Sequence, residues 1–308
     1  MSAPVPAPLP TGFMLEGYRI ERQISCGGFS IVYLAHDANG MPVAIKEYLP
    51  QTLARRGSDG SRVEPLEDHE AEFNRGLACF FEEARALNIL QHEHVVRVLN
   101  FFRANDTAYM VMELERGRTL RDHVRVHRGR PGETAFRNLF SSLLDGLGAV
   151  HQQGLLHLDI KPANIWLRCD MAPVLLDFGA ARFAVDIGPP APRAMYTPGY
   201  AAPEQYHGDY TLGPWTDIYA VGACMYATLA KSAPQAADAR LIDDQLAPAR
   251  QRFSDHYSPR LLVAIDECLR LDPARRAPSA EALKSALANA GSSGWSSWVR
   301  TLRNRLQS

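Results

Sequence analysis

The apolar and polar positions of this chain change period three times. From Tyr18 they follow the two-residue alternation of half-buried strands, over Tyr18 to Ile24, Ile31 to Ala35 and Pro42 to Lys46. Asn39-Gly40 between the last two is a strong hairpin signal and Cys26-Gly27-Gly28 supplies the earlier turn, so three antiparallel strands with a flexible first turn are predicted. From Asp68 to Leu90 the period lengthens. Phe73, Leu77, Phe80, Phe81, Ala84, Leu87 and Leu90 recur at three- and four-residue spacing, which predicts a helix. Val95 to Leu99 and Tyr109 to Glu113 return to the strand pattern and continue the sheet. After Gly117 the helical period dominates, over Leu120 to Val126 and then over Phe136 to Gln152, where Leu139, Phe140, Leu143, Leu144, Leu147 and Val150 share a face. The pattern is that of an α+β chain: an antiparallel sheet with one main helix, followed by a mostly helical part.

Three stretches fall outside these periods. Residues 1–10 are rich in proline and alanine, can form neither helix nor ladder, and read as an extended, mobile tail. Arg55 to Arg62 is polar and turn-rich and reads as an insertion before the long helix, a partner site or regulatory loop on one view and a surface excursion on the other. At the far end, Gly291-Ser292-Ser293-Gly294 is a flexible joint. Beyond it Trp295, Trp298, Val299, Leu302 and Leu306 recur at helical spacing among Arg300, Arg303 and Arg305. Such a basic amphipathic helix suits a peripheral membrane contact, against docking on its own domain or disorder.

Composition narrows the class. The 308 residues carry 33 basic and 34 acidic side chains, a net charge of −1, which gives no reason to expect nucleic acid as a partner. Cys26, Cys79, Cys169, Cys224 and Cys268 are far apart with no C-x-x-C pair, so they read as free thiols in a reducing compartment. No apolar run is long enough to span a bilayer, and the start lacks the pattern of a signal peptide. A cytoplasmic protein is expected, membrane-associated only through the terminal helix. No feature of the sequence sets an oligomeric state.

The candidate chemistry lies in His157-Leu158-Asp159-Ile160-Lys161-Pro162-Ala163-Asn164. One short loop offers a carboxylate, an ammonium two residues later and a carboxamide five residues later. Asp159 can accept the proton of an attacking hydroxyl, Lys161 can neutralise charge on a transferred phosphoryl, and Asn164 can hold a metal ion through its amide oxygen. Thirteen residues on, Asp177-Phe178-Gly179 follows the apolar run Val174-Leu175-Leu176 and adds a carboxylate at a strand end. Asn164 and Asp177 are thus the candidate metal ligands.

With these motifs in order, the chain resembles the eukaryotic-like (Hanks-type) serine/threonine protein kinases of bacteria from about residue 17 to residue 289. The resemblance implies a bilobal protein kinase fold: a Pro/Ala-rich tail over 1–12, an N-lobe over 13–114, a mostly helical C-lobe over 115–289, and the linker and basic helix over 290–308. It implies transfer of the γ-phosphoryl of ATP, with Mg²⁺ or alternatively Mn²⁺, to serine or threonine hydroxyls of protein substrates. Asp159 is then the catalytic base, Asn164 and Asp177 bind the metal, and Asp217 anchors the catalytic loop. Lys46, in Val43-Ala44-Ile45-Lys46, reaches the nucleotide phosphates and pairs with Glu83 of the long helix, Glu82 being the runner-up. The turn Ser25-Cys26-Gly27-Gly28-Phe29-Ser30 stands where a glycine-rich loop covers the phosphates. Ile24, Val32 and Ala44 complete the nucleotide site, with Met112 as gatekeeper and Glu113-Leu114-Glu115 as hinge.

Two departures qualify the resemblance. Ser25 and Ser30 occupy the outer glycine positions, which predicts a stiffer lid. Leu158 replaces the arginine that in many of these kinases grips an activation-loop phosphate, and an apolar side chain cannot bind phosphate. From Asp177 to Glu204 the only hydroxyl residues are Tyr196, Thr197 and Tyr200. Thr197 corresponds to the threonine that bonds the catalytic aspartate and lysine, and the prolines of Gly188-Pro189-Pro190-Ala191-Pro192 restrict the loop. Activity without activation-loop phosphorylation is the expectation. Glu204, in Ala202-Pro203-Glu204, is expected to pair with Arg276, Arg275 being the lesser choice. The alternatives are a pseudokinase-type scaffold and a small-molecule kinase. The first is opposed by the full catalytic set, the second by Lys161 and the Thr197–Glu204 segment.

Overall fold

The period-two stretches form a single antiparallel sheet in the first of two units, Met1–Arg116 and Gly117–Ser308, into which the chain divides. The computed structural model describes residues 7–127, 129–178, 182–183, 196–206 and 211–288. In the first unit β1 (Met14–Leu15), β2 (Tyr18–Cys26), β3 (Ser30–His36) and β4 (Pro42–Tyr48) come in succession. The insertion follows as β5 (Ala54–Arg56) and β6 (Val63–Pro65), then α1 (Glu70–Ile89), β7 (Val98–Ala104) and β8 (Thr107–Glu113). The main sheet has six strands in the order β1-β2-β3-β4-β8-β7. The β3–β4 hairpin turns where Asn39-Gly40 predicts: Gly40 takes φ +76°, and Asp37 Oδ1 accepts from Asn39 N–H at 2.9 Å and Met41 N–H at 2.8 Å.

Register assigns the two faces of this sheet. Val32 lies opposite Lys46, Lys46 opposite Met110, and Ala44 opposite Met112, so these residues share one face. Tyr33, Glu47 and Tyr109 take the other. There Glu47, fully buried, accepts from the hydroxyls of Tyr33 and Tyr109, each at 2.7 Å. Arg56 of the β5–β6 hairpin completes the arrangement, its side chain only 4% exposed and 2.5 Å from Glu47. The polar insertion is therefore a hairpin tied to the sheet by a buried ion pair. The Pro/Ala-rich start is likewise no free tail over its described part. Leu9 is buried, its N–H donating to the Tyr33 hydroxyl at 3.1 Å, and Ala7 C=O accepts from Arg56 Nε at 3.0 Å. Composition misleads here because a chain without helix or ladder can still donate and accept main-chain bonds.

Helix α1 buries Phe73, Leu77, Phe80, Glu83, Ala84 and Leu87 and packs on β7 and β8. Phe81 lies off this face, its ring meeting Phe101 edge-on at 4.9 Å. Tyr48 rests on the rings of Phe73 and Phe80, and a Cβ at Gly76 would overlap its hydroxyl, so a glycine stands at that turn of the helix.

The second unit contains β9 (Gly117–Thr119), α2 (Leu120–Val126), α3 (Glu133–Gln152), β10 (Leu155–Leu156), β11 (Ile165–Arg168), β12 (Pro173–Leu175) and β13 (Arg182–Phe183). After a 3₁₀ turn at Pro203–Gln205 come α4 (Pro214–Ala230), α5 (Ala237–Ile242), α6 (Ala249–Arg252), α7 (Pro259–Cys268) and α8 (Ala280–Ala288). Every residue of α4 from Thr216 to Leu229 is buried, and this helix, started by Pro214, is flanked by α7 and α8. Helix α7 lies against it where Gly222 leaves room for Cys268. The start of α7 is tied to α3: Ser258 Oγ donates to Glu133 at 2.6 Å and accepts from Arg137 at 3.0 Å. No helix among the described residues is long and apolar enough to cross a membrane. The expected C-terminal helix and the proline tract 188–192 lie outside the described residues.

Candidate active site

In the second unit the site is built on one buried carboxylate. Asp217, in the first turn of α4 and fully buried, accepts from His157 N–H at 2.9 Å and Leu158 N–H at 2.8 Å, and meets His151 Nε2 at 2.8 Å. Burial alone would raise its carboxyl, but the bond and charge of His151 and the influence of His157 hold it below the ordinary value. These bonds hold the loop in a conformation it would not choose freely. Leu158 has φ +61°, the left-handed region, which costs a residue with a Cβ about 1–2 kcal/mol. The Leu158 side chain is buried, and its carbonyl accepts from Gln205 Nε2 at 2.9 Å.

The next residue is thereby presented to three partners. Lys161 Nζ donates to Asp159 Oδ2 at 2.7 Å and to Thr197 Oγ1 at 3.0 Å, while Thr197 Oγ1 donates to Asp159 Oδ1 at 2.8 Å. Asn164 Nδ2 donates to the carbonyl of Asp159 at 2.9 Å and to its Oδ2 at 3.1 Å. The contact expected of Thr197 is thus present. Asn164 C=O accepts from Leu176 N–H at 2.9 Å, and Ile165 pairs with Leu175, so the β11–β12 pairing brings Asn164 to the strand end from which Asp177 emerges. Asp177 is exposed with φ +58°.

These two residues offer oxygen ligands of the kind hard divalent cations take. The bonds from Asn164 Nδ2 fix which end of the carboxamide is the oxygen. Among the described residues no group of three or more His, Cys, Asp or Glu could hold a metal ion. A pair supplied with phosphate oxygens and water is the arrangement that suits Mg²⁺, which keeps much of its hydration.

The segment from Thr197 is fixed by a second buried pair. Arg276 Nη1 and Nη2 donate to Glu204 Oε1 at 2.6 Å and Oε2 at 3.0 Å, and Thr216 Oγ1 donates to Glu204 Oε1 at 2.9 Å. Both side chains are 1% exposed or less. Arg276, not Arg275, is the partner.

In the first unit Lys46 Nζ lies 3.6 Å from Glu83 Oε1, with both side chains buried. Glu82 points elsewhere: it is 54% exposed and 3.5 Å from Arg85. Ala44 and Lys46 lie on β4, Val32 and Ser30 on β3, and Ile24, Ser25 and Cys26 at the end of β2, with Gly27, Gly28 and Phe29 as the exposed turn. Met112 and Glu113 close β8, and Leu114 follows. The turn is bonded to the segment that follows β4. Its carbonyls at Gly27, Gly28 and Phe29 accept from Gln51 Nε2, Gln51 N–H and Leu49 N–H at 2.8, 2.9 and 3.0 Å. Glu47, Arg56 and Gln51 escaped sequence reasoning, as did His151. The available signals were a glutamate directly after a buried strand lysine, and a histidine on the apolar face of α3 shortly before the loop that carries Asp159.

The model of the protein kinase domain matches residues 18–287. Serine/threonine-protein kinase pkn3 of Myxococcus xanthus is 32% identical over 289 residues, covering 88% of this chain and 49% of that protein. Serine/threonine-protein kinase pkn2 of the same organism is 30% identical over 309 residues, covering 92% of this chain and 34% of that protein. The chain thus spans no more than about half the length of these curated relatives. The solved structure of PpkA-294 in its apo form superposes with a TM-score of 0.80 at 35% identity, covering 91% of this chain and 99% of that one.

Proposed function

We propose that this chain, which belongs to the protein kinase domain family in its bacterial Hanks-type form, transfers the γ-phosphoryl of ATP to serine or threonine hydroxyls of protein substrates. The observation that carries this is the Asp159 carboxylate shared by Lys161, Thr197 and Asn164. It is the arrangement needed to orient an acceptor hydroxyl and take its proton while a cation stands beside the transferred phosphoryl.

Asp159 acts as the base. Lys161 balances charge on the phosphoryl, and Thr197 keeps the two aligned. Asn164 and Asp177 would hold Mg²⁺, which when bound would supply further neutralisation of phosphate charge. Lys46, oriented by Glu83, serves the α and β phosphates. Ile24, the Ser25–Ser30 turn, Val32, Ala44, Met112, Glu113 and Leu114 form the nucleotide site. Most of the rate then comes from positioning and charge neutralisation rather than covalent chemistry.

Activity does not require a phosphate on the activation segment. Leu158 is apolar and buried, so it cannot grip one. Thr197 is instead seated by the side chains of Asp159 and Lys161.

The test is phosphotransfer from Mg-ATP to the protein itself and to a generic protein substrate, wild type against Asp159→Asn, with mapping of the labelled residues. Label on serine and threonine in the wild type, reduced about 10²–10⁴-fold in the variant, is expected. Retained transfer in Asp159→Asn refutes the assignment. No transfer by a wild type that still binds nucleotide replaces it with a scaffold function.

A further inference from the structure

The turn between β2 and β3 is held by more than its own strands. Within the turn, Gly27 N–H donates to Ser30 C=O at 2.9 Å. Beyond the pairing of Ser30 with Tyr48, the ladder continues outward: Leu49 N–H reaches Phe29 C=O and Gln51 N–H reaches Gly28 C=O. The Gln51 carboxamide then adds a bond to Gly27 C=O at 2.8 Å and a weak one to Cys26 Sγ at 3.6 Å. Every carbonyl from Gly27 to Phe29 is therefore engaged from one short segment.

That segment is itself braced. Leu53 and Ala54 N–H both donate to Pro50 C=O, at 3.0 and 2.9 Å, curling the chain around Gln51. Its two ends are joined by the buried Glu47–Arg56 pair, whose closest atoms are 2.5 Å apart. Gln51 thus projects from a closed loop with a buried ionic base. At its glycines the turn is uncrowded. A Cβ at Gly28 would meet nothing within 4 Å, and one at Gly27 would meet only Ser30 O at 3.9 Å. The glycines are not required by any packing within the protein, and they leave the main chain accessible to a ligand.

We propose that Gln51 is a positioning residue for the nucleotide site: its side chain latches the Cys26–Ser30 turn in the conformation that accepts the ATP phosphates. Nucleotide then binds a turn already ordered, so less conformational entropy is lost on binding. The inference rests on the phosphotransfer reading above for the identity of the ligand. The latch itself rests on geometry alone.

The experiment compares amide hydrogen exchange of the full chain in wild type, Gln51→Ala and Gln51→Glu, alongside titration with a fluorescent ATP analogue in Mg²⁺. Glutamate keeps the size of the side chain but has no N–H to donate. Loss of one hydrogen bond is expected to speed exchange over residues 25–30 about fivefold in both variants, with α1 unchanged, and to weaken analogue binding about three- to tenfold. Unchanged exchange in the turn overturns the proposal. So does a Gln51→Glu protein that behaves as wild type, since packing would then be the cause, or a loosened turn with unaltered affinity. Failure of the wild type to bind the analogue removes the phosphotransfer reading and the claim on affinity together, while the exchange rates decide the latch separately.

Discussion

Arg56 and Glu47 form a bidentate pair inside the first unit, Nη1 to Oε1 at 2.6 Å and Nη2 to Oε2 at 2.5 Å, one residue after the strand lysine Lys46. A buried pair of this kind adds little net stability, but removing one partner strands the other charge. Arg56→Met is therefore expected to destabilise the protein by about 3–5 kcal/mol in denaturant unfolding. Arg55→Met, whose side chain is 70% exposed, should change stability by no more than about 0.5 kcal/mol. Equal stability of the two variants would remove the bracket that carries Gln51.

The uneven legibility of this chain follows from which residues carry local information. Asp159, Lys161 and Asn164 lie within six residues of one loop, so their spacing alone suggests the chemistry that the bonds to Thr197 then assemble. Phe73, Leu77, Phe80, Ala84 and Leu87 announce α1 because burial repeats with the helical period. Arg56 and Gln51 announce nothing. Hydropathy patterns count both as solvated, and their partners Glu47 and Gly27 become visible only when the insertion folds back on the strand it follows. Leu9 fails for a related reason: it is buried where its N–H donates to the Tyr33 hydroxyl, 24 residues away, and no local pattern records that contact.

Glu204 and Arg276 are 72 residues apart and almost wholly inaccessible to solvent. Arg276 also donates to the carbonyls of Arg270, Leu271 and Trp215, so one guanidinium ties Glu204 to the start of α4 and to the chain just after α7. Arg276→Gln is expected to cost about 3–5 kcal/mol. Arg275→Gln, beside it on the exposed side of the turn, should be silent within about 0.5 kcal/mol. Thermal denaturation of the two variants side by side tests the pairing.

Asp217 has a folded-state carboxyl held below the ordinary value, so its contribution to stability is present above the unfolded pKa of about 3.9 and is lost as pH falls through the lower folded value. Unfolding free energy should then decline from about pH 5 downward. Asp217→Asn presents an N–H₂ to one of the main-chain N–H groups it must satisfy, and is expected to cost about 3 kcal/mol at neutral pH. Its stability should also fall less steeply in acid than that of the wild type. Parallel slopes for the two proteins would show that other carboxylates govern acid unfolding.

Thr197 has its hydroxyl committed on both sides, donating to Asp159 and accepting from Lys161, at 2.8 and 3.0 Å. A phosphate on that oxygen would remove the donated bond and set a dianion against the Asp159 carboxylate, so modification there should inhibit rather than activate. The neighbouring hydroxyls, Tyr196 and Tyr200, have no arginine at position 158 to receive their phosphates. Intact-mass and peptide analysis of active wild-type protein is therefore expected to find full activity in molecules carrying no phosphate between Asp177 and Glu204. Thr197→Val, which deletes both bonds at constant size, should lower kcat about 10–100-fold, and Thr197→Ser should restore most of it. Serine rescue together with an unmodified active wild type assigns Thr197 to alignment of Asp159 and Lys161. A phosphate present on this segment in every active molecule would instead require a cationic partner other than residue 158, and would end the case for phosphorylation-independent activity.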